Sequence, residues 1–193
     1  MQKQTKMSRR GLKKTSETLK TFLKSESEDL FFFDEGRFGL MPHIGKCWAL
    51  KGKKTSSKVK PGYKNFYIYS SVSPHTGNAF SLILPWANTE MMNYYLSEFR
   101  KKYSTKKLIM ILDQAGWHKS KDLKVPLNIE LLHLPPYSPE LNPVERLWLW
   151  LRKHVCRNRM FESEEALMDE LSLVLHELSN EQLKTLCKCS YLL

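Results

Sequence analysis

Three carboxylates stand where a hydrophobic core has no use for them. Asp34 closes the apolar run Leu30-Phe31-Phe32-Phe33, and Asp113 closes Leu108-Ile109-Met110-Ile111-Leu112. Glu145 opens a helix behind the proline-rich stretch Pro135-Pro136-Tyr137-Ser138-Pro139. Carboxylates brought together without partners repel one another and cost folding energy. Oxygen-ligated Mg2+ removes that penalty, and two such ions about 4 Å apart can activate a nucleophile and stabilise a leaving oxygen in phosphoryl transfer. A glycosidase needs only two acids and less cationic surface.

Each candidate has a plain structural reading beside the chemical one. Side chains alternate across a strand, so Asp34 and Glu35 face opposite sides and only one of them is expected to join a shared site. Asp34 is the choice adopted, with Leu30 and Phe32 on its face, though the pattern does not force it. Asn142-Pro143-Val144-Glu145 reads as N-cap, N1, N2 and N3 of a helix. Glu145 then either bonds back to the Asn142 backbone as half of a capping box, or offers a carboxylate held in the positive end of the helix dipole. His118, five residues past Asp113, either polarises a phosphate or a water or is simply a loop histidine. Arg37 either clamps a phosphate or pairs with Asp34. Trp117 and Trp148 read as core, whereas Trp150 falls off its helix stripe.

These residues need elements to hold them. Leu30–Asp34 reads as a buried strand, Cys47–Leu50 as a second, and Asn65–Val72 with Ala79–Leu84 as a hairpin about the turn Ser73–Gly77. A helix follows, capped by Thr89, with Met92, Tyr95, Leu96, Phe99 and Tyr103 on one face. The strand Leu108–Leu112 is apolar on both faces, as expected in the middle of a sheet covered on both sides. Ile129–Leu134 is a further strand, and helices over Pro143–Cys156 and Ser163–Leu178 finish the chain. The apolar stripes of these helices are Val144, Leu147, Trp148, Leu151 and Val155, then Leu167, Leu171, Val174 and Leu178. The order predicts an α/β sheet with helices packed on it; it suits an RNase H-like mixed sheet with helices on both faces, and admits others.

The chain has 193 residues, 41% of them hydrophobic, which suits one domain and excludes a disordered polyelectrolyte. The longest apolar run has five residues, far from a membrane span, and no secretory signal opens the chain. Four cysteines, Cys47, Cys156, Cys187 and Cys189, read as reduced thiols, since nothing matches Cys187-Lys-Cys189 at zinc-site spacing. The formal charge is +11 and is unevenly placed. Residues 1–24 hold eight Lys or Arg against Glu17 alone, and residues 46–64 hold seven Lys and no acid. Such clustering points to a polyanion, nucleic acid first, or to a merely solvated lysine-rich face. Within it Lys51, Lys53, Lys54, Lys58, Lys60 and Lys64 fall on a loop expected to lie over the site and contact DNA phosphates. Residues 1–28 read as a basic flexible arm, 29–180 as the domain and 181–193 as a tail.

Three blocks together resemble a known family. Phe33-Asp34-Glu35-Gly36-Arg37-Phe38-Gly39, Leu112-Asp113-Gln114-Ala115-Gly116-Trp117-His118-Lys119-Ser120 and Leu134-Pro135-Pro136-Tyr137-Ser138-Pro139-Glu140-Leu141-Asn142-Pro143-Val144-Glu145 are similar to the signatures of DDE transposases. The branch is that of bacterial insertion sequences related to the mariner elements. The resemblance implies an RNase H-like catalytic domain in which Asp34, Asp113 and Glu145 bind two Mg2+ or Mn2+ ions. It implies DNA as partner, cut at transposon ends and joined to a target, with a homodimer holding two ends in the bacterial cytoplasm, at the nucleoid when DNA is bound. Gln114 stands where the family often has Asn, and 31 residues separate Asp113 from Glu145, a few fewer than usual for the branch. Only 33 residues precede Asp34, whereas members normally carry helix-turn-helix modules there, so the chain resembles the catalytic half of a transposase, either from a split reading frame whose upstream-encoded polypeptide supplies those modules or from a decayed copy. Two other readings stay open: a non-catalytic DNA-binding or assembly remnant, and a stand-alone structure-specific nuclease.

Overall fold

A computed structural model of the protein describes residues 28–41, 43–46, 48–52, 64–105 and 107–189. Among these residues five strands form one mixed sheet in the order β3-β2-β1-β4-β5. The antiparallel part is β1 (Glu28–Gly39), β2 (Asn65–Val72) and β3 (Ala79–Leu84). Strands β4 (Lys107–Leu112) and β5 (Ile129–His133) continue the sheet in parallel from β1. Between β3 and β4 runs α1 (Thr89–Lys102). A 3-10 turn at Gly116–Lys119 links β4 to β5, and a second at Pro139–Leu141 leads into α2 (Val144–Leu151). Helices α3 (Glu164–Glu177) and α4 (Asn180–Leu186) follow.

Side-chain alternation divides β1 between two cores. Leu30, Phe32 and Phe38 join Ile68, Ile109 and Ile111 under the stripe Val144, Leu147, Trp148 and Leu151 of α2, with Leu167, Leu171 and Leu183 beyond. Phe31 and Phe33 point the other way, joining Tyr69, Met110 and Leu112 under Met92, Tyr95, Leu96 and Phe99 of α1. Strand β4 is buried on both faces, as its unbroken apolar run requires. The helices therefore cover both faces of the sheet.

Four expectations are corrected. Residues 48–50 form no strand: Trp48 and Leu50 are exposed coil, and only Cys47 lies outside the described residues. Among the described residues this short apolar run has no hairpin partner with which to complete a ladder. The first helix is capped by Asn88, whose Oδ1 accepts from Met91 N–H at 2.9 Å, and Thr89 is already helical. The helix after Pro143 keeps α geometry only to Leu151, and Arg152–Cys156 is a π-helical turn. Most of the described part of the expected tail is α4, started by a Ser179–Gln182 capping box and anchored by buried Leu183, Cys187 and Cys189, while residues 190–193 lie outside the described residues. Residues 1–27, most of the basic arm, lie outside the described residues.

Candidate active site

Parallel pairing sets the first two acids side by side. The last paired residues of β1 and β4 are Phe32 and Ile111, and two steps further along each chain stand Asp34 and Asp113. Strand β1 continues to Gly39 on β2, whereas β4 ends at Leu112, so the sheet opens where the acids emerge. A crevice at the carboxyl ends of parallel strands is the usual ligand position in open α/β sheets.

The third acid is brought in by Asn142. Its Nδ2 donates to the Phe33 carbonyl at 2.8 Å, and its Oδ1 accepts from Val144 N–H at 3.2 Å. One amide thus ties the start of α2 to β1 and caps it. The reciprocal half of a capping box is not made, and the Glu145 carboxylate has no hydrogen bond or ion pair with the described residues. It faces instead a cleft of about 450 Å³ that Asp34, Asp113 and Glu145 line together with Gln114, Tyr137 and Asn142. Tyr137 stands at this cleft in the left-handed backbone region (φ 56°), with its ring almost fully exposed. A non-glycine residue there carries strain, and such strain gathers at functional sites.

Each aspartate is oriented through one of its oxygens. Trp148 Nε1 donates to Asp34 Oδ2 at 2.8 Å. Burial pushes the Asp34 carboxyl up to about 8, and the charges of Glu35, Glu145 and Asp113 add to that against the Trp148 hydrogen bond. Asp113 is more exposed. The hydrogen bond from His118, then the Ala115 N–H at 2.9 Å, hold its carboxyl below the usual range against a smaller effect of burial. Both of those donors use Oδ1, leaving Oδ2 to the cleft.

The site also contains a residue passed over in favour of its neighbour. Glu35 lies on the other face of β1, as alternation dictates, and is not in the cleft; yet its Oε1 accepts from His118 Nε2 at 2.8 Å and from Trp117 Nε1 at 3.1 Å. His118 Nδ1 lies 2.7 Å from Asp113 Oδ1. Burial alone would lower the His118 pKa, but the bonds and charges of Asp113 and Glu35 outweigh it and hold the ring up to about 9. The ring is a buried imidazolium donating to two carboxylates. Its side chain is 1% exposed, so His118 has no free nitrogen for a phosphate or a water, which corrects that expectation. The signal in the sequence was the pair Trp117-His118 behind Asp113, with an acid adjacent to Asp34.

Arg37 neither pairs with Asp34 nor lines the cleft. It is exposed, makes no ion pair among the described residues, and lines a different hollow with Phe38, His43 and Lys64. Three steps along β1 from Asp34, it projects from the opposite face. Lys51 and Lys64 are exposed, while Lys53, Lys54, Lys58 and Lys60 lie outside the described residues. Trp148 is core, as its stripe predicts, but its N–H also serves the site. Trp117 is half-buried and bonded to Glu35.

Three oxygen-only side chains suit a hard divalent cation, and Asp34 is raised chiefly by burial, with the charges of Glu35, Glu145 and Asp113 adding to it. Among the described residues no three His, Cys, Asp or Glu side chains converge as a ready-made cage around one point. Two ions, each taking fewer protein oxygens, would not require one.

A mixed five-stranded sheet with one acid on its central strand, beyond the last pair with β4, and another just past the end of β4 is an RNase H-like arrangement. Residues 29–168 match the family model of the DDE superfamily endonucleases, and the chain belongs to that family. It is 45% identical over 97 residues to the uncharacterized protein y4pE/y4sA of Sinorhizobium fredii, covering 50% of this chain and 72% of the relative. It is 28% identical over 148 residues to the uncharacterized 39 kDa protein of insertion element IS630 from Shigella sonnei, covering 72% of this chain and 42% of the relative. The fold superposes on the Mos1 strand transfer complex with a TM-score of 0.71 at 19% identity, over 92% of this chain and 56% of that one. The mariner Mos1 paired end complex with Mn gives 0.68 at 20% identity, over 92% of this chain and 57% of that one. The chain thus spans about half the length of the Mos1 protein and less than half of the IS630 protein.

Proposed function

We propose that this chain is the catalytic domain of an insertion-sequence transposase, a metal-dependent nuclease and strand transferase acting on the ends of its own element. The observation that carries the reading is the convergence of Asp34, Asp113 and Glu145, from three separate elements, on one cleft where Asp34 ionises only with difficulty. Membership of the DDE endonucleases and the likeness to the IS630 protein support the choice of substrate. The Mos1 complex containing Mn supports the choice of cation.

In this reading the three carboxylates hold two Mg2+ or Mn2+ ions. Such ions, when bound, supply Lewis-acid stabilisation of a phosphoryl oxygen and a lowered pKa for water. The chain's own contribution is placement. Trp148 fixes one oxygen of Asp34, His118 and the Ala115 amide fix one oxygen of Asp113, and Asn142 fixes the helix that presents Glu145. Cleavage and joining are read as in-line displacements by water and by a DNA 3′-hydroxyl, with no covalent role given to Tyr137 or Ser138 of the cleft. Lys51 and Lys64 contribute phosphate contacts that position DNA without reading its sequence. A homodimer holds two element ends together, and helix-turn-helix modules on an upstream-encoded polypeptide recognise them.

The test is Asp113→Asn, assayed on duplexes carrying the element's terminal repeat. It abolishes Mg2+- and Mn2+-dependent cleavage while DNA affinity stays within about twofold of wild type. Normal cutting by this variant would sink the assignment. Wild-type cutting of branched duplexes irrespective of terminal repeats would mark a stand-alone nuclease instead.

A further inference from the structure

His118 bridges Glu35 and Asp113, with one ring nitrogen on each carboxylate. The His118 ring is buried, its side chain 1% exposed, and both of its carboxylate partners come from elements that already touch: β1 gives Glu35 and the end of β4 gives Asp113. We infer that Glu35 is a positioning residue for the cleft: through His118 it fixes the rotamer of Asp113 so that Oδ1 stays engaged and Oδ2 is presented to a divalent cation.

The geometry gives a direction to this chain of contacts. Glu35 is held first, by burial beside Phe33 and by the Trp117 indole at 3.1 Å, with its side chain only 6% exposed. His118 is held second, its ring edge-on to Phe33 at 5.6 Å between centroids and its Nε2 on Glu35. Asp113 is held last. Its side chain is 57% exposed and, without His118, would retain only the Ala115 amide. An exposed carboxylate with one backbone bond samples several rotamers, whereas one with two donors on the same oxygen does not. Glu35 thus does for Asp113, from the far face of the sheet, what Trp148 does for Asp34 from the near face. Carboxylates that orient a histidine in this way commonly tune the affinity of a neighbouring metal ligand by about 10- to 100-fold.

The inference rests on the proposed role of Asp113, and the experiment separates the two. Mn2+ binding to the intact chain is titrated by electron paramagnetic resonance, with no DNA and no turnover, in variants shown by melting to be folded. Glu35→Ala weakens Mn2+ binding by about 10- to 100-fold. Glu35→Gln, whose Oε1 still accepts from both His118 and Trp117, restores it to within about threefold. His118→Asn keeps a donor near Asp113 but cannot reach Glu35, and it too binds at least several-fold more weakly; it decides the matter if Glu35→Ala does not fold. The double variant Glu35→Ala/His118→Asn is no weaker than the worse single one, because the two act along one path. Wild-type Mn2+ affinity in Glu35→Ala or in His118→Asn, or equal loss in Glu35→Ala and Glu35→Gln, overturns the inference. Wild-type affinity in Asp113→Asn overturns instead the reading of the site on which it rests.

Discussion

Gly36 lacks a side chain because Trp148 fills the space one would need. A Cβ there would lie 2.7 Å from Trp148 Cδ2 and 2.9 Å from Phe38 Cε2, both atoms of packed rings with no room to withdraw. The missing Cβ lets the indole approach β1 this closely, and its Nε1 donates to Asp34 Oδ2. Gly36→Ala therefore displaces the indole, at a cost of about 1–3 kcal/mol of overpacking strain, and leaves Asp34 without its donor. The expected outcome is a lower urea midpoint with unchanged m-value, together with weaker Mn2+ binding. Trp148→Phe separates the two effects: it keeps most of the packing, loses the N–H, and weakens Mn2+ binding at a smaller cost in stability. The acids themselves were legible from sequence, since a charged residue ending an apolar run is conspicuous. Their partners were not. Trp148 fits its apolar stripe, and nothing in that pattern says that its polar edge turns toward a carboxylate. Glu35 was set aside by a rule of alternation that is correct, because its path to the site runs through a histidine on the other face.

At the scale of elements, the start of α2 joins fold to chemistry. The sequence announced a capped helix at Asn142-Pro143, and the Asn142 Oδ1 does accept from the first turn. The amide's other hand, on the Phe33 carbonyl across 109 residues of chain, is a tertiary contact that no local pattern encodes. Asn142 is buried, so Asn142→Ala leaves the Phe33 carbonyl and the Val144 amide unsatisfied. The variant should lose about 1–3 kcal/mol of stability. It should also lower cleavage more than that loss alone explains, because Glu145 rides on the untethered turn; Asn142→Asp, which caps but cannot donate to Phe33, should keep part of the stability and little of the activity. A thermal melt beside a cleavage assay reads both. The same distinction accounts for what was misread elsewhere. Elements with strong internal periodicity, such as α1 and β4, were legible. Trp48-Ala49-Leu50 had strand composition without a partner strand, and α4 has seven residues, too few for a periodic signal, so its stability comes from the capping box and from Leu183 packed in the core.

For the molecule as a whole, the site is a source of instability that a bound cation would relieve. Asp34 ionises near the usual carboxylate value of about 3.9 in the unfolded chain, but only near pH 8 in the native fold, where burial and three neighbouring acids oppose it. Between those values the native state binds the extra proton, so this group makes the protein less stable as pH rises from about 4 to about 8. Asp113 works in the opposite sense: its depressed carboxyl contributes stability above the usual carboxylate range, lost as pH falls. His118, raised to about 9, contributes stability that is fully present below about 6.5 and is lost as pH climbs through 9. In metal-free buffer the melting temperature should therefore decline from pH 6 to pH 9, and Asp34→Asn should flatten the part of the decline below pH 8 and melt higher than wild type at pH 8. A cation that binds the native carboxylates and not the unfolded chain stabilises in proportion to their ionised fraction. Millimolar Mn2+ should raise the wild-type melting temperature more at pH 8 than at pH 6, and should raise that of Asp34→Asn little at either. Equal Mn2+ shifts in the two proteins would mean that the cation sits elsewhere and that the buried aspartate is raised for some reason unconnected with metal.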